Sequence, residues 1–473
     1  MKPRWLLVAL TILTMTAPSI GSATDLLDVY ERALQSDPTF REAEARLLAA
    51  KEQKPLARSL LLPQLDLSYN FRDSNRDGET SFFDFQTGTN PNQLIDTNTT
   101  SNSTTLQLQQ PLFRWDRIVG LNQADKQVAQ AEANYAAAKQ ALMLRVVNRY
   151  FDVLAAQDIV ERGEAEKEAI GRQLEQAEKR FEVGLIAITD VKESQAAYDR
   201  VIADLVQAKR NLANANEALR ELTGTYFENL VAPNEDMPLM PPDPTSQEAW
   251  VDWALDQNLT LLAARLGSEI AREEVRIRKS GHYPTIDLVA TYNDFDSETG
   301  GTNTLQGQVT PADATQDLTT DILSIQFNLP LYRGGGTQAG VREAVYLNRA
   351  ETERVERIAR ETERITRDAY LGVETDIARV NALKRAVESS ETALRATQAG
   401  YDVGTRTTVD VLDARRQLFF SQTDYERSLY NYVINVLLLK EAAGTLTDED
   451  IVQANSWITT RGGTVEEVTT EDG

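Results

Sequence analysis

Residues Tyr401–Ala414 read Tyr-Asp-Val-Gly-Thr-Arg-Thr-Thr-Val-Asp-Val-Leu-Asp-Ala, and they decide the architecture. Gly404 separates two long helical patterns, and a glycine able to take positive φ is the residue that ends a helix at a tight reversal. Thr407 and Asp410 stand at capping-box spacing, and an acid in the first turn complements the helix dipole. Asp413 lies three residues on, on the same helix face, near the limit of the dipole's reach. Capping therefore accounts for Asp410 better than for Asp413. A second version of the turn lies about 220 residues earlier, at Phe181–Glu193 (Phe-Glu-Val-Gly-Leu-Ile-Ala-Ile-Thr-Asp-Val-Lys-Glu).

Other landmarks repeat at the same offset of 219–221 residues. Asp37-Pro-Thr answers to Asn258-Leu-Thr, Pro63-Gln-Leu-Asp-Leu to Pro284-Thr-Ile-Asp-Leu, and Gln110-Pro-Leu-Phe-Arg to Leu329-Pro-Leu-Tyr-Arg. Asp190-Val answers to Asp410-Val and Leu219-Arg-Glu to Leu439-Lys-Glu. Matched landmarks in one order indicate an internal two-fold repeat, with halves at 24–232 and 246–455 joined by a Pro-rich linker at 233–245.

Each half reads helix, strand, long loop, strand, very long helix, glycine turn, helix. The opening helices are expected over Pro38–Leu60 and Leu259–Lys279. The long helical patterns cover 115–181 and 337–401, each on the order of 100 Å at the α-helical rise. The helices after the turns cover 189–222 and 407–443. Patterns of this length point to coiled-coil-like packing rather than an ordinary globular helix.

Four strands alternate apolar and polar residues: 64–72, 104–112, 285–293 and 321–331. Each is near the 9–11 residues of a tilted membrane-crossing strand. Polar stretches at 73–103 and 294–319 are expected to be long loops on one side of the strand pairs. Four strands cannot close a barrel, and backbone inside a membrane tolerates no open edge. If the strands span a membrane, several subunits share one barrel. Three would give twelve strands and an open lumen, and two a filled one. A half-buried soluble sheet remains compatible with the alternation alone.

Composition narrows the function. The first 23 residues carry Lys2 and Arg4, an apolar run at Trp5–Ile12 and small residues at Gly21–Ala23, the pattern of an export signal peptide. No stretch reaches the length of an apolar spanning helix. The chain has no cysteine and one histidine, His282, which removes thiolate chemistry and multi-His metal sites. A net charge of −23 argues against nucleic acid, which needs a basic face. Gly334-Gly-Gly336-Thr-Gln-Ala339 matches a dinucleotide-binding spacing, but the preceding strand alternates and the following helix is far too long for a βαβ crossover. It reads as a flexible strand-to-helix junction. The residues after 456 read as an acidic, disordered tail.

The repeated halves, the strand pairs, and the motifs Val-Gly-Leu-Ile-Ala-Ile-Thr-Asp-Val (183–191) and Val-Gly-Thr-Arg-Thr-Thr-Val-Asp-Val-Leu-Asp-Ala (403–414) resemble the TolC family of outer-membrane factors. The resemblance covers roughly residues 24–455. It implies a mixed α/β membrane protein: a homotrimer whose twelve-stranded barrel, four strands per protomer, sits in outer-membrane lipid above a periplasmic α-helical barrel. It implies a non-enzymatic exit duct without cofactor, working with a periplasmic adaptor and an inner-membrane efflux or ABC transporter. It places Asp410 and Asp413 in two rings of carboxylates at the periplasmic aperture. Such rings favour cations, so divalent block is expected there, and crowded like charges titrate as a group. It implies a latch of Tyr401 and Arg406 against Thr189 and Asp190 on a neighbouring helix. Val183, Gly184, Leu185, Val403, Gly404 and Thr405 become the tips that meet the adaptor. The competing reading is a periplasmic or surface coiled-coil scaffold or adhesin without a channel. A carboxylate enzyme such as a glycosidase stands further off, because long helices leave little chain for a pocket.

Overall fold

The computed structural model describes residues 24–458 other than 82, 84, 86, 87, 228 and 234–236. The expected signal peptide and most of the expected tail lie outside the described residues. The elements run α1 (Leu26–Ser36), α2 (Pro38–Lys51), α3 (Gln53–Ser59), β1 (Gln64–Ser81), β2 (Asn92–Phe113), α4 (Trp115–Glu182), α5 (Ile188–Thr223) and α6 (Gln247–Gln257). They continue with α7 (Leu259–Ser280), β3 (Thr285–Leu305), β4 (Gln308–Pro311), β5 (Ala314–Asn328), α8 (Gly336–Asp402), α9 (Thr408–Ala442) and α10 (Asp448–Ser456).

The chain forms two compact units, and they do not follow the sequence halves. Of the described residues, one unit comprises those within 24–43, 136–259 and 360–458, the other those within 44–135 and 260–359. Each takes segments from both halves. The reason is strand pairing: β2 of the first half pairs along almost its whole length with β3 of the second.

The unit of residues 44–135 and 260–359 holds an antiparallel sheet in which β1 pairs with β2, β2 with β3, and β3 with both β4 and β5. Register puts Leu65, Leu108, Ala290 and Leu323 in one row, and Leu67, Leu106 and Tyr292 in another on the same face. Ile325 and Phe327 extend that face, opposite Leu288 and Ile286. The other face is predominantly polar, with Asp66, Gln107 and Thr291 in one row, which ends at Ile322, and Ser68, Thr105, Asn293 and Thr320 in the next. The apolar face is uncovered within the chain: Leu67 is 73% and Leu323 74% exposed. β1 pairs with β2 alone and β5 with β3 alone, so both carry an open edge. Helices in this unit are joined by polar contacts. Lys54 pairs with Asp125 at 2.8 Å, Lys126 with Glu273 at 3.0 Å, and Arg114 donates to both Asp287 oxygens.

The strands are longer than the alternation indicates: 18, 22, 21 and 15 residues for β1, β2, β3 and β5. The expected loops 73–103 and 294–319 are therefore largely strand, and the short β4 lies inside the second of them. Beyond the apolar band the ladder is carried by Thr, Ser, Asn and Asp, because backbone pairing needs no apolar side chain where both faces meet water. β5 stops at Asn328, short of the expected 331, since Pro330 has no N–H to give to a ladder.

The other unit holds a helical core. Leu26 and Val29 of α1, Tyr150 of α4, Tyr432, Val433 and Leu437 of α9, and Ile451 of α10 are almost fully buried. Burying each large side chain contributes roughly 1.5–3 kcal/mol. Phe151 stacks on Tyr430 at 5.2 Å, and the Tyr430 hydroxyl donates to the buried Asp158 carboxylate. The expected opening helix 38–60 is broken at Glu52, and α1, capped by Asp25, precedes it. Asp37 ends α1 and opens α2, accepting from the Phe40 N–H at 3.2 Å and from Arg145 at 2.6 Å.

The 233–245 segment is not a free spacer. Met237 is buried, Met240 exchanges hydrogen bonds with the Tyr432 hydroxyl, and the Pro244 carbonyl accepts from Trp250. The chain after α10 stays packed as far as Ile458, which is buried and bridges to Pro233, so the first residues of the expected tail are ordered. Among the described residues no helix is long and apolar enough to cross a membrane.

Candidate gating site at the helix turns

Both turns have one hydrogen-bonding plan. At the first, the Gly184 N–H donates to the Phe181 carbonyl at 2.9 Å and the Leu185 N–H to the Arg180 carbonyl at 2.9 Å. At the second, the Gly404 N–H donates to Tyr401 at 3.0 Å and the Thr405 N–H to Gly400 at 2.8 Å. This is the Schellman pattern, and it requires the left-handed φ of +76° at Gly184 and +81° at Gly404. The turns present Val183, Leu185 and Val403 to solvent, at 69%, 73% and 76% exposure, with Gly184, Gly404 and Thr405 also exposed.

The helices that leave the turns are capped differently. Thr407 and Asp410 close a full capping box. The Asp410 N–H donates to Thr407 Oγ1 at 3.2 Å, while Asp410 Oδ2 accepts from the Thr407 N–H at 2.8 Å and its hydroxyl at 3.0 Å. These donors, backbone first, hold the Asp410 carboxyl below the usual aspartate value, and nearby Arg406 adds to the effect. At the equivalent place Asp190 reaches back to the Ala187 N–H at 3.3 Å, but alanine has no side-chain acceptor to complete the box. Asp413 caps nothing. It is exposed, and its ion pair is with Arg416 at 3.5 Å.

The four residues expected to form a latch are not joined to one another within the chain. Tyr401 is buried within the chain, accepts weakly from the Thr408 hydroxyl at 3.5 Å, and lies beneath the Arg180 guanidinium. Arg406 is exposed and forms no ion pair with Asp190; Thr189 is exposed, Asp190 half-buried. Arg180, Thr408 and Arg416 carry no sequence signal of these roles, which depend on contacts between segments or along a helix face.

Further along the same helices, Ile170 of α4 packs with Val201 of α5 and Leu412 of α9. Polar groups sit beside this apolar layer. Arg162 of α4 donates to Glu426 and Gln422 of α9, and burial pushes the Glu166 carboxyl up. Gln173 and Ser194 are buried with no hydrogen-bond partner among the described residues.

The dinucleotide-like glycines occupy a different setting. Gly334 and Gly335 take φ of +60° and +81° between β5, antiparallel to its neighbour, and the 67-residue α8. That is a junction, not a βαβ turn. His282 lies exposed in the short turn before β3.

The sequence matches the family described as outer membrane efflux protein over residues 29–225 and 250–445. The chain belongs to the outer membrane efflux protein family. Among relatives, it is 37% identical to outer membrane protein TolC of Escherichia coli K12 over 93% of this chain and 86% of that one. It is 30% identical to the alkaline protease secretion protein AprF of Pseudomonas aeruginosa, over 91% of this chain and 86% of the relative. In fold it resembles the Campylobacter jejuni CmeC outer membrane channel, with a TM-score of 0.71 at 16% identity over 97% and 98% of the two chains. This member of the efflux family is thus TolC-like, and its place is the outer membrane with a periplasmic portion. The family is one of transport proteins rather than enzymes, and membership sets aside the scaffold or adhesin reading.

Proposed function

We propose that three copies of this chain build one exit duct, with a shared twelve-stranded barrel in the outer membrane and a gate at the periplasmic helix turns. The observation that carries it is the sheet: four long strands, one face apolar and uncovered, the other polar, and an open edge on each side. Hydrocarbon covers such a face, and only closure with further strands satisfies the edges. Twelve strands leave a lumen, which an export duct needs. By analogy with the efflux and protease-secretion relatives, a periplasmic adaptor and an inner-membrane transporter supply cargo and energy, and the duct itself is passive.

In this arrangement Arg406 of one protomer faces Thr189 and Asp190 of the next, with Tyr401 fixed behind it between Thr408 and Arg180 of its own chain. Asp190 uses one carboxylate oxygen on the Ala187 N–H and keeps the other for an incoming guanidinium. Each exposed pair contributes about 0–1 kcal/mol, so three-fold repetition makes a latch that a docking partner can release. The exposed Val183, Leu185 and Val403 tips are the surface offered to the adaptor. The test is single-channel conductance in planar bilayers. Arg406→Ser with Tyr401→Phe raises it, and an unchanged conductance removes the latch.

A further inference from the structure

We infer that Gly400 is the seat that positions Arg406, and that its lack of a side chain is what lets the latch arginine fold back over the end of α8. The inference rests on the gate reading of Arg406. Gly400 lies inside α8 and is not among the glycines with positive φ, so its backbone does not require glycine. Glycine is also a poorer helix former than alanine. Its presence therefore has another cause. A Cβ there would lie 2.8 Å from Arg406 Cγ, 3.2 Å from Thr405 Oγ1 and 3.5 Å from Arg406 Cβ.

The nearest of these atoms is close to the Arg406 backbone, so moving the far end of the side chain cannot relieve the contact. The side chain must leave its rotamer, which redirects the guanidinium. The backbone at this point is equally committed to Gly400. Its carbonyl accepts from the Thr405 N–H at 2.8 Å, the Arg406 N–H at 3.3 Å and the Thr405 hydroxyl at 3.0 Å. The first turn supplies a built-in comparison. The position 220 residues earlier is Arg180, and the position equivalent to Arg406 is Ile186. A long side chain is tolerated at the seat where no arginine folds back over it.

Gly400 is thus a positioning residue: it touches no cargo and acts through Arg406. The experiment compares single-channel conductance of the full-length assembled wild type, Gly400→Ala, Arg406→Ser and the double variant. Gly400→Ala is expected to raise conductance to the level of Arg406→Ser, with the double variant no higher than either. Thermal stability of Gly400→Ala should hold or rise, because alanine favours the helix; a general loss of structure would lower it. Wild-type conductance in Gly400→Ala, beside a raised value in Arg406→Ser, overturns the seat and leaves the latch standing. A further increase when Gly400→Ala is added to Arg406→Ser also overturns it, since the effect would then not pass through Arg406. If Arg406→Ser itself changes nothing, the latch fails and the seat falls with it. Should Gly400→Ala fail to assemble, the double variant decides: recovery supports the clash, and continued failure overturns it.

Discussion

The Arg180 guanidinium lies 4.8 Å from the centre of the Tyr401 ring, tying the last turn of α4 to the last turn of α8. The two turns are therefore coupled within a single chain. Tyr401 is buried against its own chain, with its hydroxyl next to Thr408, so it is a fixed element against which the exposed Arg406 can work.

Removing the cation should loosen this tie. An exposed or half-exposed cation–π pair contributes about 0.5–1 kcal/mol, so Arg180→Ala lowers protection of the tip by that amount, while Arg180→Lys retains part of it. Hydrogen exchange in peptides containing Gly404–Arg406 is the measurement. Equal protection in wild type and Arg180→Ala would show that the ring contact does not restrain the tip.

The Thr407–Asp410 box makes the start of α9 sensitive to acid, and the direction follows from the lowered Asp410 value. A carboxyl held below its ordinary 3.8 stabilises the folded tip at pH above that value. The contribution is lost as pH falls through the lower, folded-state value. Peptides spanning the beginning of α9 should keep their exchange protection from neutral pH down to about the ordinary carboxyl value and lose it below. Thr407→Ala removes a cap, costing about 1 kcal/mol, and should move the acid loss to higher pH because the hydroxyl no longer holds the carboxylate. An acid profile identical to wild type would contradict the box.

How much of this could be read from the sequence depended on the range of the interactions. The long helices were legible because α4 and α8 continue one helical pattern for 68 and 67 residues and stop at a glycine. Short α1 and α6 were not, since each is capped by one polar residue, Asp25 or Ser246, that resembles loop composition; α10 carries a Thr447–Asp450 box like that of α9 but is only nine residues long. The outer parts of the strands were hidden for a related reason. Thr, Asn and Asp look like loop, and Gly300-Gly301 looks like a turn, yet Gly301 lies within β3. A Cβ on Gly301 would sit 2.1 Å from the Asp96 carbonyl oxygen, so the glycine reflects close backbone approach across the sheet. At the turns, the glycines, the caps and the acidic pair were legible as local motifs. Arg180 over Tyr401 and Arg406 over Gly400 were not: the first joins residues 221 apart in sequence, the second depends on a side chain folding backwards.

The two acids proposed to line the aperture should separate functionally, because only one of them is engaged in holding the fold. Asp410 Oδ2 already accepts from the Thr407 backbone and hydroxyl, whereas Asp413 is exposed with a single ion pair to Arg416. Asp413→Ala is therefore expected to remove most of the divalent block from the periplasmic side while leaving tip protection unchanged. Asp410→Ala weakens the block and also frays the start of α9, and the double variant shows no block. Arg416→Ala supplies the opposite sign. It frees the Asp413 carboxylate from a cation worth about 0–1 kcal/mol at an exposed site, so block tightens by up to about five-fold. The concentration of divalent cation giving half-block, measured for the four variants in planar bilayers, is the readout. Block that persists in the Asp410→Ala/Asp413→Ala variant would move the cation site away from these turns, and block unchanged by Arg416→Ala would mean that the Asp413–Arg416 pair is not formed at the open aperture.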